Sequence, residues 1–181
     1  MILVDTGPLV AACNPADAGH TACRQVFAGL NEESATTTPV LTEAFHLLRQ
    51  SKRRMSLMEI VRHRGVTVAS LEDRDLERCF ELMVQYGDAP MDFADASLVA
   101  VAERSGVDRV FTLDRRHFSA YRMKRGYRHV PFTIVQPEGP GPPTVREPAE
   151  PYGARSSEPS AESALGDVRE ALDRLDRILT R

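Results

Sequence analysis

From the first residue to about Gln136, short apolar runs alternate with stretches whose apolar residues recur every three or four positions. Ile2-Leu3-Val4 ends at Asp5-Thr6-Gly7-Pro8, which predicts a strand, a turn and a helix start. Ala35-Thr36-Thr37 is short and β-branched, a second strand. Thr38 followed by Pro39 predicts an N-cap with proline at the first helical position, opening a helix over residues 39–50. A basic segment and another helix run on to Arg64, where Gly65 stops it. Residues 66–68 predict a third strand, 71–86 a long helix, and 92–105 a helix closed by Gly106. Residues 109–113 predict a fourth strand and 132–135 a fifth. Strands separated by helices imply an α/β fold, a parallel sheet with helices on both faces. In such sheets the ligand crevice lies at the carboxyl ends of the strands.

Composition changes this picture only after Pro137. Residues 137–160, rich in Pro, Gly, Ser and Glu, cannot bury a core and are expected to form a disordered linker. Residues 161–181 then carry Leu165, Val168, Leu172, Leu175 and Leu179 at steps of three and four, an amphipathic helix. Such a helix either packs on its own domain or serves a partner or a second copy. The net charge of −3 gives no global attraction for nucleic acid, so any affinity for phosphate must come from local patches. Cys13, Cys23 and Cys79 show no CxxC spacing and read as reduced, buried thiols. With no basic leader and no apolar stretch of about 20 residues, the expectation is a cytoplasmic protein without a membrane span.

The chemistry lies in the carboxylates. Asp5 ends the first strand and Asp114 follows the fourth, so both fall at the expected crevice. Each taken alone is an ordinary turn former or helix cap. Glu43 shares a helix face with Val40 and Leu47, and Asp95 sits among Ala94, Leu98, Val99 and Ala102 in the most apolar helix. An unpaired carboxylate on such a face would cost roughly several kcal/mol in desolvation, so it needs a cation or close hydrogen bonds. Asp92, one turn before Asp95, is a helix N-cap, a further acid of the site, or both. Converging acids without a matching base persist with raised pKa values or with bound cations. Oxygen-only donors suit Mg²⁺ or Mn²⁺, whereas His20, His46, His63, His117 and His129 have no paired spacing that would suggest zinc.

These residues carry a resemblance. ILVDTGPLVAA, TPVLTEAFHLL, PMDFADASLVAVAER and VFTLDRRHF resemble the PIN-domain proteins, and most of all the VapC group of bacterial toxins. The likeness spans residues 1–136 and leaves the tail untouched. It implies a three-layer α/β/α sandwich around a short, mostly parallel sheet. It also implies an endoribonuclease that uses Mg²⁺, with Mn²⁺ able to substitute, and leaves a 5′-phosphate and a 3′-hydroxyl. Asp5, Glu43, Asp95 and Asp114 match the family's four acidic positions, with Asp5 and Asp95 as the principal metal ligands. Asp92 is an additional nearby acid. Thr112 matches a hydroxyl that supports the acids, and Thr6 either orients Asp5 or begins the turn. Arg53, Arg54, Arg115 and Arg116 are the candidates for contact with RNA. A cognate antitoxin covering the acidic crevice and a homodimer are further implications.

Three other readings compete. An aspartyl phosphatase would want a second acid two residues after the first, where Gly7 stands. A Rossmann binder would want GxGxxG after the first strand, which DTGPLVAAC lacks. A PIN-fold module that binds or processes RNA without a toxin role stays open.

Overall fold

The computed structural model describes residues 1–63, 65–88 and 91–137. Arg64, expected to end a helix, residues 138–160 of the linker expected over 137–160, and the helix expected over 161–181 lie outside the described residues.

Five parallel strands form the central sheet in the order β3-β2-β1-β4-β7. They are β1 (Ile2–Val4), β2 (Ser34–Thr37), β3 (Val66–Ala69), β4 (Arg109–Phe111) and β7 (Thr133–Val135). Ile2, Leu3 and Val4 are fully buried, as the apolar run of a strand covered on both faces requires. The chain moves from β1 outward to β2 and β3, then returns past β1 to β4 and β7. Right-handed crossovers therefore place α1 (Thr6–Cys13), α2 (His20–Gly29), α3 (Thr38–Leu47) and α4 (Ser51–His63) on one face. The same rule places α5 (Asp73–Gln85), α6 (Phe93–Ser105) and α7 (Arg115–Ala120) on the other. This is the expected α/β architecture with two helical layers. The strand order reverses between β1 and β4, and the crevice of such a sheet opens at that switch point.

Helix α6 is the hub. Ala94 and residues 96–102 are buried on nearly every side, so its apolar character is not confined to a stripe. Asp92 caps its start by accepting from the Asp95 amide at 2.8 Å, and Gly106, at φ 68°, closes its end in the left-handed region. An ion pair between the buried Asp75 of α5 and the half-buried Arg104 ties α5 to α6, and Asp75 also closes a capping box with Glu72.

Several details depart from the sequence reading. Thr37, not Thr38, caps α3, because its hydroxyl accepts from the Val40 amide. That helix stops at Leu47, and Leu47 is exposed rather than inward. The inward stripe of α3 is Val40, Ala44 and Leu48, with Leu41 and Phe45 packed beside it. The fourth strand is three residues long and ends at Phe111, before Thr112 and Leu113. The antiparallel hairpin of β5 (Arg122–Arg125) and β6 (Arg128–Pro131) was not expected, nor were α2 and α7. The hairpin turns at Gly126, φ 62°, and its polar, basic sequence hides the alternation of a strand. Cys13, Cys23 and Cys79 are free and buried, and burial pushes each thiol up to about 11. Among the described residues no helix is long and apolar enough to cross a membrane.

Candidate active site

The parallel ladder does the first work of assembly. Leu3 pairs with Val110 and Val4 with Phe111, and the Asp5 amide donates to the Phe111 carbonyl at 3.0 Å. This register sets Asp5 beside Thr112 at the carboxyl edge of the sheet. The buried Thr112 hydroxyl donates to Asp5 Oδ2 at 2.7 Å and accepts from the Asp114 amide at 2.8 Å. One threonine therefore fixes the acids that follow β1 and β4. Asp5 also caps α1, accepting from the Thr6 amide through Oδ1 at 2.6 Å, and Asp114 caps α7 through the His117 amide. For both residues the modest role of helix cap is real. It coexists with their place in the cluster.

Thr6 holds two acids, Asp5 through its amide and Glu43 through its side chain. Its hydroxyl donates to Glu43 Oε2 at 2.6 Å, bridging α1 to α3. Glu43 is half-buried, while Leu47 one turn on is exposed. Asp95, half-buried in the first turn of α6, accepts from the Tyr121 hydroxyl through Oδ2 at 3.0 Å. Tyr121 is fully buried, its ring packed edge-on against Tyr86 and Phe118 and stacked on His117 at 6.1 Å. His117 in turn meets Asp114 Oδ2 through Nδ1 at 2.8 Å. Sequence reasoning missed both Tyr121 and His117. His117 stands three residues after Asp114, a spacing that could have marked it; Tyr121 lies 26 residues from Asp95 with no local signal.

The electrostatics joins all five acids. Burial pushes Asp5 up to about 6, with Glu43 and Asp92 adding repulsion and the Thr112 and Thr6 hydrogen bonds opposing it. Asp95 rises further, to about 8, first through burial, then through repulsion from Asp5, Asp92 and Asp114, against the hydrogen bond from Tyr121. The Tyr121 hydroxyl is pushed far above its ordinary value by burial and by the negative charge of Asp95. Two carboxyls that hold their protons far more tightly than usual, at the switch point of a parallel sheet, make this edge the candidate site.

The donor set fits a hard divalent cation, since every candidate ligand is a carboxylate oxygen and two of them resist carrying uncompensated charge. Among the described residues no three His, Cys, Asp or Glu side chains are closed into a ready-made cage. The basic candidates divide. Arg115 and Arg116 are exposed in the first turn of α7, directly after Asp114. Arg53 and Arg54 lie on α4, where Arg54 Nε already donates to the Leu48 carbonyl at 2.7 Å and so stabilises the end of α3. In the hairpin, Arg122 is occupied by the carbonyls of Ser119, Ala120 and Tyr121, and Arg125 by that of Gly106. Those two guanidiniums hold structure together.

The PIN domain family model matches residues 2–123, about two thirds of the chain, and includes every acid described above. The chain belongs to the PIN-domain family. PIN-domain relatives include Ribonuclease VapC26 of Mycobacterium tuberculosis, 25% identical over 137 residues that cover 74% of this chain and 99% of that protein. The 23S rRNA-specific endonuclease VapC20 of the same species is 28% identical over 117 residues, 63% of this chain and 89% of its own. Its crystal structure, that of a sarcin–ricin loop cleaving toxin, superposes with a TM-score of 0.64 at 24% identity, over 76% of this chain and all of that one. A toxin–antitoxin complex from Klebsiella pneumoniae contains a chain with a TM-score of 0.52 at 15% identity, over 66% of this chain and 91% of that one. Identities this low in the solved structures speak for the fold, which is the PIN sandwich expected from the sequence.

Proposed function

We propose that this PIN-domain chain is a divalent-metal-dependent endoribonuclease and the toxic component of a type II toxin–antitoxin pair. The observation that carries the reading is the line of acids at the β1/β4 switch point, two of them raised by burial and each of those fixed by a buried hydroxyl. Relatives named ribonuclease and endonuclease support the same chemistry.

Asp5 and Asp95 would hold Mg²⁺, or Mn²⁺ in its place, with Glu43 and Asp114 completing the cluster and Asp92 adding charge beside it. When bound, such a cation lowers the pKa of water and neutralises the charge that develops on phosphorus. The remaining work falls to the chain. Thr112 and Tyr121 hold the Asp5 and Asp95 carboxyls in one orientation, and Thr6 does so for Glu43. Glu43 and Asp114 supply the carboxylate that takes the proton of the attacking water. Arg115 and Arg116, with Arg53 and the free nitrogens of Arg54, contact phosphates and fix position rather than sequence. Water attacks phosphorus and the P–O3′ bond breaks, so the 3′-oxygen leaves as a hydroxyl and the phosphate stays on the 5′ side of the downstream nucleotide.

A nuclease of this kind harms its host unless restrained, so the reading includes an antitoxin whose segment covers the acidic edge, a homodimer, and a cytoplasmic location. It also keeps the division into a nuclease domain over 1–136, a linker over 137–160 and a helix over 161–181. The test is incubation of the full chain and of Asp95→Asn with an RNA pool in Mg²⁺ or Mn²⁺, followed by analysis of product ends. Cleavage by the parent alone, with 5′-phosphate ends, is expected. Binding without cleavage by the parent would leave a non-enzymatic RNA-binding module instead.

A further inference from the structure

We propose that the cleft beyond the carboxyl ends of β2 and β3 is a nucleobase subsite, seating the unpaired base of the nucleotide next to the cleaved phosphate. The proposal deepens the ribonuclease reading and rests on it for the identity of the strand. The cleft measures about 920 Å³, and Thr42, Glu43 and His46 of α3, Leu71 after β3, and Asp92 and Phe93 at the start of α6 are among its walls. Glu43 and Asp92 belong both to this wall and to the acid cluster. A nucleotide whose phosphate lies over Asp5 and Asp95 therefore borders the cleft directly.

Charge decides which part of that nucleotide enters. The lining contains two carboxylates and no lysine or arginine, so it repels a phosphate. A base carries no charge, and the amino hydrogens of adenine, cytosine or guanine suit carboxylate acceptors. Phe93 supplies an aromatic face, backed by Phe80 at 6.4 Å with the rings 22° apart. Unpaired RNA bases stack on such faces. His46 is exposed three residues after Glu43, on the same side of α3, and its imidazole offers a donor and an acceptor to a base edge. The strand order adds direction. Arg115 and Arg116 follow β4, on the far side of β1 from β2 and β3, so the phosphate they grip lies on one flank of the acids and the base on the other.

The test uses the full-length Asp95→Asn chain and fluorescein-labelled single-stranded RNA oligonucleotides that carry one abasic position moved along the strand. Fluorescence anisotropy should single out one position whose missing base weakens binding by about 10-fold, the scale of one stacked base. Adding Phe93→Leu, which keeps an apolar side chain, should remove that penalty, and His46→Ala should change which base is preferred there. In the catalytically intact chain both substitutions should shift the base found next to the cut, read by sequencing product 5′ ends. If Phe93→Leu lowers the melting temperature so far that it does not fold, the exposed His46→Ala carries the test alone. Equal penalties at every abasic position, or a penalty unchanged by both variants, overturn the proposal. So does protection of the cleft by a basic, apolar peptide without any base dependence. If the parent cuts no RNA, the ribonuclease reading fails, while the binding arm still decides the cleft.

Discussion

Replacing Asp95 by asparagine removes a carboxyl that the fold holds against its own solvation preference, so the metal-free protein should become more stable as it loses function. Asp95 titrates at 3.8 in the absence of its surroundings and at about 8 within them, mainly through burial and then through repulsion from Asp5. A carboxyl raised in this way makes the native state bind more protons than the unfolded state between those two values. Stability therefore falls as pH rises from about 4 to about 8 and levels off above it. At about 1.4 kcal/mol per pH unit the ceiling at pH 8 is roughly 6 kcal/mol. The realised gain is smaller, because Asp95 keeps some solvent contact. A gain of about 1–3 kcal/mol is the working figure, since the asparagine carbonyl still accepts from Tyr121 and little else changes. For a chain of this size that is a melting temperature higher by roughly 2–4 °C per kcal/mol. Thermal melts in EDTA between pH 5 and pH 8 read the effect directly. The parent should lose stability across that range and Asp95→Asn should lose less. A parent whose stability is flat with pH, or an Asp95→Asn that melts no higher at pH 8, would refute the claim that burial and repulsion strain this carboxyl.

The hydroxyls around the acids should behave in the opposite sense. Thr112→Val keeps the volume but strips Asp5 of a donor and leaves the Asp114 amide unpaired, so urea denaturation should show a loss of about 1–3 kcal/mol. Tyr121→Phe preserves the ring contacts while removing the donor to Asp95, and should lower both Mn²⁺ affinity and RNA cleavage by about 10–100-fold with the fold intact by circular dichroism. Arg115→Ala and Arg116→Ala should each weaken RNA binding across sequences and reduce the slope of log K against log salt by about 0.7, measured by anisotropy from 50 to 200 mM salt.

The fold was legible because its inner strands include short apolar runs and its helices are punctuated by Pro39, Gly65 and Gly106, each acting through local backbone chemistry, although the cap fell on Thr37 rather than Thr38. Where function overlays that chemistry, the sequence was ambiguous for a physical reason. Asp5, Asp92 and Asp114 are helix caps in the structure as well as members of the cluster, so a cap reading and a site reading were never exclusive. Asp95 and Glu43 stand out in the sequence for their apolar helix faces, but in the structure each meets a hydroxyl from a distant part of the chain, Tyr121 for Asp95 and Thr6 for Glu43. Asp75 shows the limit of that argument: it is as buried as any acid here, yet Arg104 satisfies it, and only tertiary contact distinguishes the two cases. Tyr121 escaped because its role depends on a contact with Asp95 26 residues away, and the β5–β6 hairpin because the basic Arg122–Arg125 strand shows no clear apolar alternation.

The central claim is that the acids at the carboxyl edge of the sheet bind a divalent cation. Titration of the full chain with Mn²⁺, following the loss of the free-ion signal by electron paramagnetic resonance, tests it without reference to RNA or to any partner. Saturable binding by the parent, weakened at least about 10-fold in Asp5→Asn and again in Asp95→Asn while both variants keep their fold, is the predicted result. A parent that leaves the free-ion signal undiminished, or binding that survives both substitutions unchanged, would contradict it.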